Sequence, residues 1–251
     1  PFAAACELFH NWCLVHDDIM DSDKVRRNRP AIWIKYGLAH GINIGDYMSE
    51  KVYELILRSK NHSVDNETIF RLLDAMVKTA VKTAEGQAMD MNLRGSDSPT
   101  EKEYIAMVTG KTAHYMTIPM VGGAIVAGAN ENVIKKIIEF GTHAGPAFQI
   151  TDDLLDLTVG KGRGEIGRDV KEGKRSILVV HYLSKCNRND RNELLAILNK
   201  PADKTANADV LLVKKLFEKY GSIEYAENKA KELVAEAKNI IKTLPAPLRS
   251  I

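Results

Sequence analysis

Apolar residues return every three or four positions through almost the whole chain, as in Leu8, Trp12, Val15 and Ile19 and again in Ile134, Ile137, Ile138 and Gly141. Runs that alternate apolar and polar residues are absent, so no strand has a face to bury and the expected fold class is all-α. The periodicity places helices near 2–21, 37–58, 66–93, 101–108, 111–128, 131–157, 175–186, 190–199, 207–219 and 222–243. Ser98-Pro99-Thr100-Glu101 reads as a helix start, with Ser98 at capping-box spacing from Glu101 and Pro99 at the first helical position. Pro119 should kink its helix, and Gly122 and Gly123 should admit a close neighbour. No internal repeat, low-complexity tract or Pro/Ser-rich linker divides the chain, which predicts one domain over 1–251. The glycines of Gly160 to Gly167 mark the one expected mobile loop.

Composition removes several function classes. The 35 Lys and Arg against 33 Asp and Glu leave a net charge of +2, too little for nucleic-acid capture by bulk charge. With 45% hydrophobic and 27% charged residues the chain can build a core and is not disordered. Cys6, Cys13 and Cys186 form no CxxC pair, which argues against a disulfide framework or zinc cage and suits a reducing, cytoplasmic setting. The longest uncharged apolar run, Tyr115 to Asn130, contains Pro119 and is too short to span a bilayer, so no transmembrane segment is expected. The chain opens at Pro1 with no basic n-region before Phe2, unlike a secretory signal, and reads as beginning in mid-domain.

The pattern DDxxD occurs twice, as Asp17-Asp18-Ile19-Met20-Asp21 and as Asp152-Asp153-Leu154-Leu155-Asp156. With 16 aspartates among 251 residues, random placement gives roughly 0.06 such motifs per chain. Positions i and i+4 share a helix face, so Asp17 stands over Asp21 and Asp152 over Asp156. Like charges so placed repel, and a fold keeps them when a cation bridges them. Mg²⁺ suits such a site because it takes one or two carboxylates, completes its shell with phosphate oxygens and keeps several waters. The motifs therefore predict Mg-dependent diphosphate chemistry.

Cations follow each motif. Lys24, Arg26, Arg27 and Arg29 come after the first, and Lys161, Arg163, Arg168, Lys171, Lys174 and Arg175 after the second. Arginine offers paired donors to phosphate oxygens and lysine a mobile point charge; Lys24 and Arg168 are read as merely solvated. Gly110-Lys111-Thr112 is not a P-loop, since Ile105 stands where that pattern needs glycine and no strand precedes it. Lys111 and Thr112 at a helix start could still hold a phosphate through charge, hydroxyl and helix dipole. The glycines of 160–167 follow no strand, so a dinucleotide fold is unsupported.

In this arrangement the chain resembles the trans-isoprenyl diphosphate synthases, the family of farnesyl and geranylgeranyl diphosphate synthases. The landmarks appear in order: His16 before the first DDxxD, Arg26-Arg27 and Pro30, Gly45-Asp46, Gly86-Gln87, Gly110-Lys111-Thr112, Phe148-Gln149 before the second DDxxD, and Asp169 through Glu172-Gly173-Lys174-Arg175-Ser176. The resemblance implies an all-α homodimer whose two motifs face each other across a deep cavity. It implies Mg²⁺-assisted ionisation of an allylic diphosphate, attack by isopentenyl diphosphate, and proton loss to the departing diphosphate. It assigns Asp17, Asp21 and Asp152 as direct Mg²⁺ ligands, with Asp18, Asp153 and Asp156 in support. Arg26, Lys111, Thr112, Gln149 and Lys174 match allylic-diphosphate contacts, and Arg27 the isopentenyl-diphosphate contact.

Several positions depart from the family pattern. Asn28 replaces the usual Gly, Trp33 stands where many members have His, and Glu165 falls near an expected diphosphate-binding Lys, leaving Lys161 as the substitute. The upstream GKRxRP segment and its helices are absent, so the isopentenyl-diphosphate site reads as incomplete, and the C-terminal end reads as short. Product length should be set on the first motif's helix, where at ~1.5 Å per residue Trp12 lies roughly 7.5 Å and Phe9 roughly 12 Å below Asp17. An aromatic five residues before the motif with a small residue after it, here Trp12 and Cys13, goes with archaeal-type geranylgeranyl synthases; the size of Trp12 leaves a farnesyl or mixed product as the alternative. A class I terpene cyclase is disfavoured because no NSE-type motif stands near Asp152, and an inactive subunit of a heteromeric synthase is disfavoured by intact carboxylates.

Overall fold

A computed structural model describes residues 1–158 and 166–246. Most of the expected loop 160–167, with Lys161, Arg163 and Glu165, lies outside the described residues, as does Ile251. The described residues fold into helices joined by short turns, with one two-stranded hairpin. The helices are α1 (Phe2–Met20), α2 (Ile32–Tyr36), α3 (Leu38–Leu57), α4 (Asn66–Arg94), α5 (Glu101–Val108), α6 (His114–Val126), α7 (Glu131–Asp156), α8 (Arg168–Lys171), α9 (Ile177–Lys185), α10 (Arg188–Leu198), α11 (Asn207–Lys219) and α12 (Ser222–Lys242). The all-α expectation holds.

The residues cluster into two compact units, Pro1–Val81 with Tyr115–Ile138, and Lys82–His114 with Glu139–Ile251. Within the first unit α1 packs along α3. Its core takes Ala5, Phe9 and Val15 from α1, Val52 and Ile56 from α3, and Ile69, Leu72 and Met76 from α4. Leu8, Trp12 and Ile19, which the periodicity placed on the buried face, are only half-buried, and Ile138 is exposed. In the second unit α9 is nearly continuously buried from Ile177 to Leu183 against α5, α11 and α12, and its core adds Leu194, Val213, Phe217 and Leu233. At about 1.5–3 kcal/mol for each large apolar side chain buried, these clusters are the main force holding each unit.

Local geometry corrects several expected boundaries. The fifth helix starts at Thr100, not Ser98: Thr100 Oγ1 accepts from Glu103 N at 3.2 Å and Glu103 Oε2 accepts from Thr100 N at 2.8 Å, a complete capping box with Pro99 outside the helix. Residues 32–36 form a separate helix because Gly37, at φ 88°, breaks the chain between α2 and α3. The hairpin pairs Val25–Arg26 with Arg29–Pro30 through Arg27 and Asn28, both at positive φ (52° and 59°) as a tight primed turn requires. Asparagine tolerates that conformation, so Asn28 can stand where the resemblance led one to expect glycine. No gap separates α5 from α6, since a π-turn over Thr109–Ala113 joins them and helical structure runs on through Pro119. Gly122 admits the ring of Phe2, whereas Gly123 faces open space.

Candidate active site

Each aspartate motif closes a helix. Asp17 and Asp18 lie in the last turn of α1, with Asp21 as its C-cap, and Asp152, Asp153 and Asp156 end α7; neither last turn holds a basic residue. The backbone carbonyls there already carry partial negative charge, so each carboxylate added costs about 0.3–1 kcal/mol unless a cation compensates.

In the first unit Arg26 is that partner. The hairpin turns its guanidinium back onto α1, where Nε donates to Asp18 Oδ1 at 2.7 Å and Nη2 donates to the same oxygen. Nη2 also lies 3.7 Å from Asp17 Oδ2 and 3.5 Å from Asp23 Oδ2. Asp18, Asp21 and Asp23 are buried, while Asp17 keeps 15% of its side chain exposed. Asp18 is thus engaged by protein, and Asp17 presents the more accessible oxygens. Arg27 sits exposed at the hairpin tip and Lys24 is exposed, as read from sequence. Along the same helix Phe9 is buried, its ring meeting Trp12 edge to face at 5.2 Å. Cys13 is half-buried.

In the second unit the same division recurs, with Asp153 and Asp156 buried and Asp152 half-exposed. Tyr104 OH donates to Asp153 Oδ2 at 2.7 Å, and Gln149 Nε2 donates to Asp153 Oδ1 at 3.0 Å and to Asp152 Oδ2 at 3.3 Å. Gln149 Oε1 accepts from Thr112 Oγ1 at 3.3 Å, so this chain of bonds fixes which way the amide faces. Burial, then the Asp153 charge, pushes the Tyr104 phenol well up, which keeps it a donor. Asp156 Oδ2 accepts from Asp169 N at 3.0 Å, and Lys174 Nζ lies 2.9 Å from Glu172 Oε2 and 3.4 Å from Asp169 Oδ1.

Lys111 and Thr112 are not at a helix start. They sit inside the π-turn, so the expected helix-dipole contribution to phosphate binding is absent there. At this turn three backbones crowd together. A Cβ on Gly86 of α4 would lie 2.6 Å from Gly110 C and 2.7 Å from Lys111 Cα, and one on Gly145 of α7 would lie 2.6 Å from Ala113 Cα. That close approach aims Lys111 Nζ at Asp90 Oδ2, 2.7 Å away, and Arg94 Nη2 reaches the same oxygen at 3.3 Å. Lys111, Thr112, Gln149, Lys174, Asp153 and Asp90 line one pocket. Four of the expected allylic-diphosphate contacts therefore converge within this unit, while Arg26 lies with the first motif.

Sequence reasoning missed Asp90, Tyr104 and Asp23. Asp90 stands four residues after Gly86 on one helix face, a spacing that could have revealed it. Arg175, which also lines the Lys111 pocket, is 1% exposed and donates to Ser96 O at 2.9 Å, Gly173 O at 2.7 Å and Asn199 Oδ1 at 2.8 Å. One reading needs correction. Arg168 is not solvated, because its Nε donates to Glu172 Oε1 at 2.7 Å in a largely covered position.

The donor set fits a hard divalent cation. Each motif by itself offers carboxylate oxygens at the negative end of its own helix. Among the described residues no three His, Cys, Asp or Glu side chains form a ready chelate, which is the situation for Mg²⁺ held by one or two carboxylates and completed by phosphate oxygens.

A family model described as polyprenyl synthetase matches residues 1–216. The chain is 37% identical over 242 residues to the geranylgeranyl diphosphate synthase of Sulfolobus acidocaldarius, covering 93% of this chain and 70% of that protein. It is 36% identical over 247 residues to a short chain isoprenyl diphosphate synthase of Methanothermobacter thermautotrophicus, covering 96% and 73%. Among solved structures, the geranylgeranyl pyrophosphate synthetase from Pyrococcus horikoshii matches with a TM-score of 0.87 at 34% identity, covering 99% of this chain and 75% of that one.

Proposed function

The chain belongs to the polyprenyl synthetase family and is a trans-prenyltransferase, and we propose that it joins isopentenyl diphosphate head-to-tail to allylic diphosphates, ending at geranylgeranyl diphosphate. The observation that carries the proposal is the pair of aspartate triplets, each ending a helix with no basic residue in its last turn. Relatives named for geranylgeranyl diphosphate support the product, as does Trp12 five residues before the first motif.

Asp17, Asp21 and Asp152 would hold Mg²⁺, with Asp18, Asp153 and Asp156 in support. When bound, Mg²⁺ supplies neutralisation of the leaving diphosphate. Lys111 and Lys174 bring the charge that the allylic diphosphate needs, and Thr112 and Gln149 orient it through hydroxyl and amide. Arg26 holds the first motif and Arg27 is free at its tip to meet isopentenyl diphosphate. The allylic C–O bond breaks, the new C–C bond forms to isopentenyl diphosphate, and the proton leaves with the diphosphate, so no protein nucleophile is required. Phe9, Trp12 and Cys13 bound the growing chain.

The family match runs across both compact units, which supports one polyprenyl synthase domain. A homodimer belongs to the same reading: Phe70, Val77 and Val81 expose one apolar face of α4, and Leu38 and Ile42 one of α3. No helix among the described residues is long and apolar enough to cross a membrane, and the three scattered cysteines favour a cytoplasmic location. The test is consumption of labelled isopentenyl diphosphate by purified full-length protein with an allylic partner. Turnover should require Mg²⁺ and fall at least 100-fold in Asp17→Asn and Asp152→Asn, as loss of a transition-state charge contact would cause; equal turnover in chelator would refute it.

A further inference from the structure

Trp12 is held from two sides. Phe9 meets its ring edge to face, and one turn on, Trp12 Nε1 donates to His16 Nδ1 at 3.2 Å, with the two rings 6.2 Å apart at 74°. Because Nδ1 accepts, the imidazole proton sits on Nε2. That nitrogen faces α3, 3.4 Å from Ile42 O and 3.5 Å from Asp46 Oδ1. Between them α3 carries Gly45, where a Cβ would overlap the imidazole and lie 3.0 Å from its Cε1. The ring of His16 thus occupies a notch that only glycine leaves open, flanked by a carbonyl and a carboxylate that favour the tautomer able to accept from Trp12.

We propose that His16, seated by Gly45 and Asp46, is a positioning residue that locks the Trp12 indole in the orientation that limits product length. This rests on the proposed role of Trp12 as the floor for the growing chain. A tryptophan on a helix has two accessible χ1 rotamers, and only a held indole makes a sharp floor. His16 acts through Trp12 and touches no substrate. Gly45-Asp46 and the His preceding the first motif then serve one device on two helices.

The experiment uses full-length protein, farnesyl diphosphate and isopentenyl diphosphate, with products resolved by chain length. Trp12→Ala should lengthen the product. His16→Leu, which keeps an apolar side chain but removes the acceptor, should raise the share of products longer than geranylgeranyl diphosphate about fivefold, the population change commanded by one neutral hydrogen bond. His16→Gln, which restores an acceptor oxygen, should return it toward the parent value. Asp46→Ala, at an exposed position that does not threaten folding, should shift the distribution the same way to a smaller extent. A merely structural His16 would lower all products together without changing their ratio. If Trp12→Ala lengthens the product while His16→Leu and Asp46→Ala leave the ratio unchanged, the lock is refuted and the floor stands; if Trp12→Ala changes nothing, both fall.

Discussion

Lys111 Nζ donates to Asp90 Oδ2 at 2.7 Å inside the pocket that also holds Thr112, Gln149 and Lys174. Burial alone would raise the Asp90 carboxyl, but the charges of Lys111, Lys174 and Arg94 outweigh it and hold it below the usual range. Asp90 is therefore an ionised anchor for Lys111, one of the cations proposed to meet the allylic diphosphate. Asp90→Asn weakens a charge-assisted bond worth about 1.5–3 kcal/mol. Steady-state kinetics should show kcat/KM for the allylic diphosphate falling about 10- to 100-fold, with KM for isopentenyl diphosphate little changed.

Gly86→Ala places a methyl group against the backbone of Gly110 and Lys111, where no side chain can yield. Overpacking of this kind costs about 2–3 kcal/mol. Thermal denaturation should show Tm lower by about 4–12 °C, and the folded variant should lose activity because the π-turn aims Lys111.

Arg175→Lys tests a buried clamp. Lysine cannot reach Ser96 O, Gly173 O and Asn199 Oδ1 together as the guanidinium fork does. Leaving buried acceptors unmet should cost about 3 kcal/mol, seen as a lower urea midpoint. The KM for the allylic diphosphate should change little, since the Arg175 guanidinium donates to protein acceptors.

Acid should weaken the fold near neutrality. Burial lowers His10, His114 and His181, with neighbouring cations adding to it, including Arg27 and Arg26 for His10, Lys82 for His114 and Lys185 for His181. The unfolded chain, with histidines near pKa ~6.5, then binds more protons than the folded one, so stability falls as pH drops through that value. Calorimetry at pH 7.5 and 5.5 should give the lower Tm at 5.5.

Much of this was legible in the residues. The helix spans α5, α11 and α12 follow from periodicity, and each DDxxD motif lies at the end of a helix as expected. What was hidden depends on distant partners. The hairpin needs positive φ at Arg27 and Asn28, which no local Asn-Gly signal announces. The π-turn packs against Gly86 and Gly145, residues remote in sequence from Lys111. Arg175 reads like any loop cation until Ser96 and Asn199 close over it, and Asp90 acquires meaning only when the π-turn delivers Lys111 to it. Thr100 outcompetes Ser98 as cap because Glu103, not Glu101, reaches back to its amide.

Product length measures the central claim most directly. Purified full-length protein with Mg²⁺ and isopentenyl diphosphate should convert dimethylallyl, geranyl and farnesyl diphosphates alike to geranylgeranyl diphosphate as the main end product on chromatography. No consumption of isopentenyl diphosphate with any of the three, or a halt at farnesyl diphosphate, would contradict it.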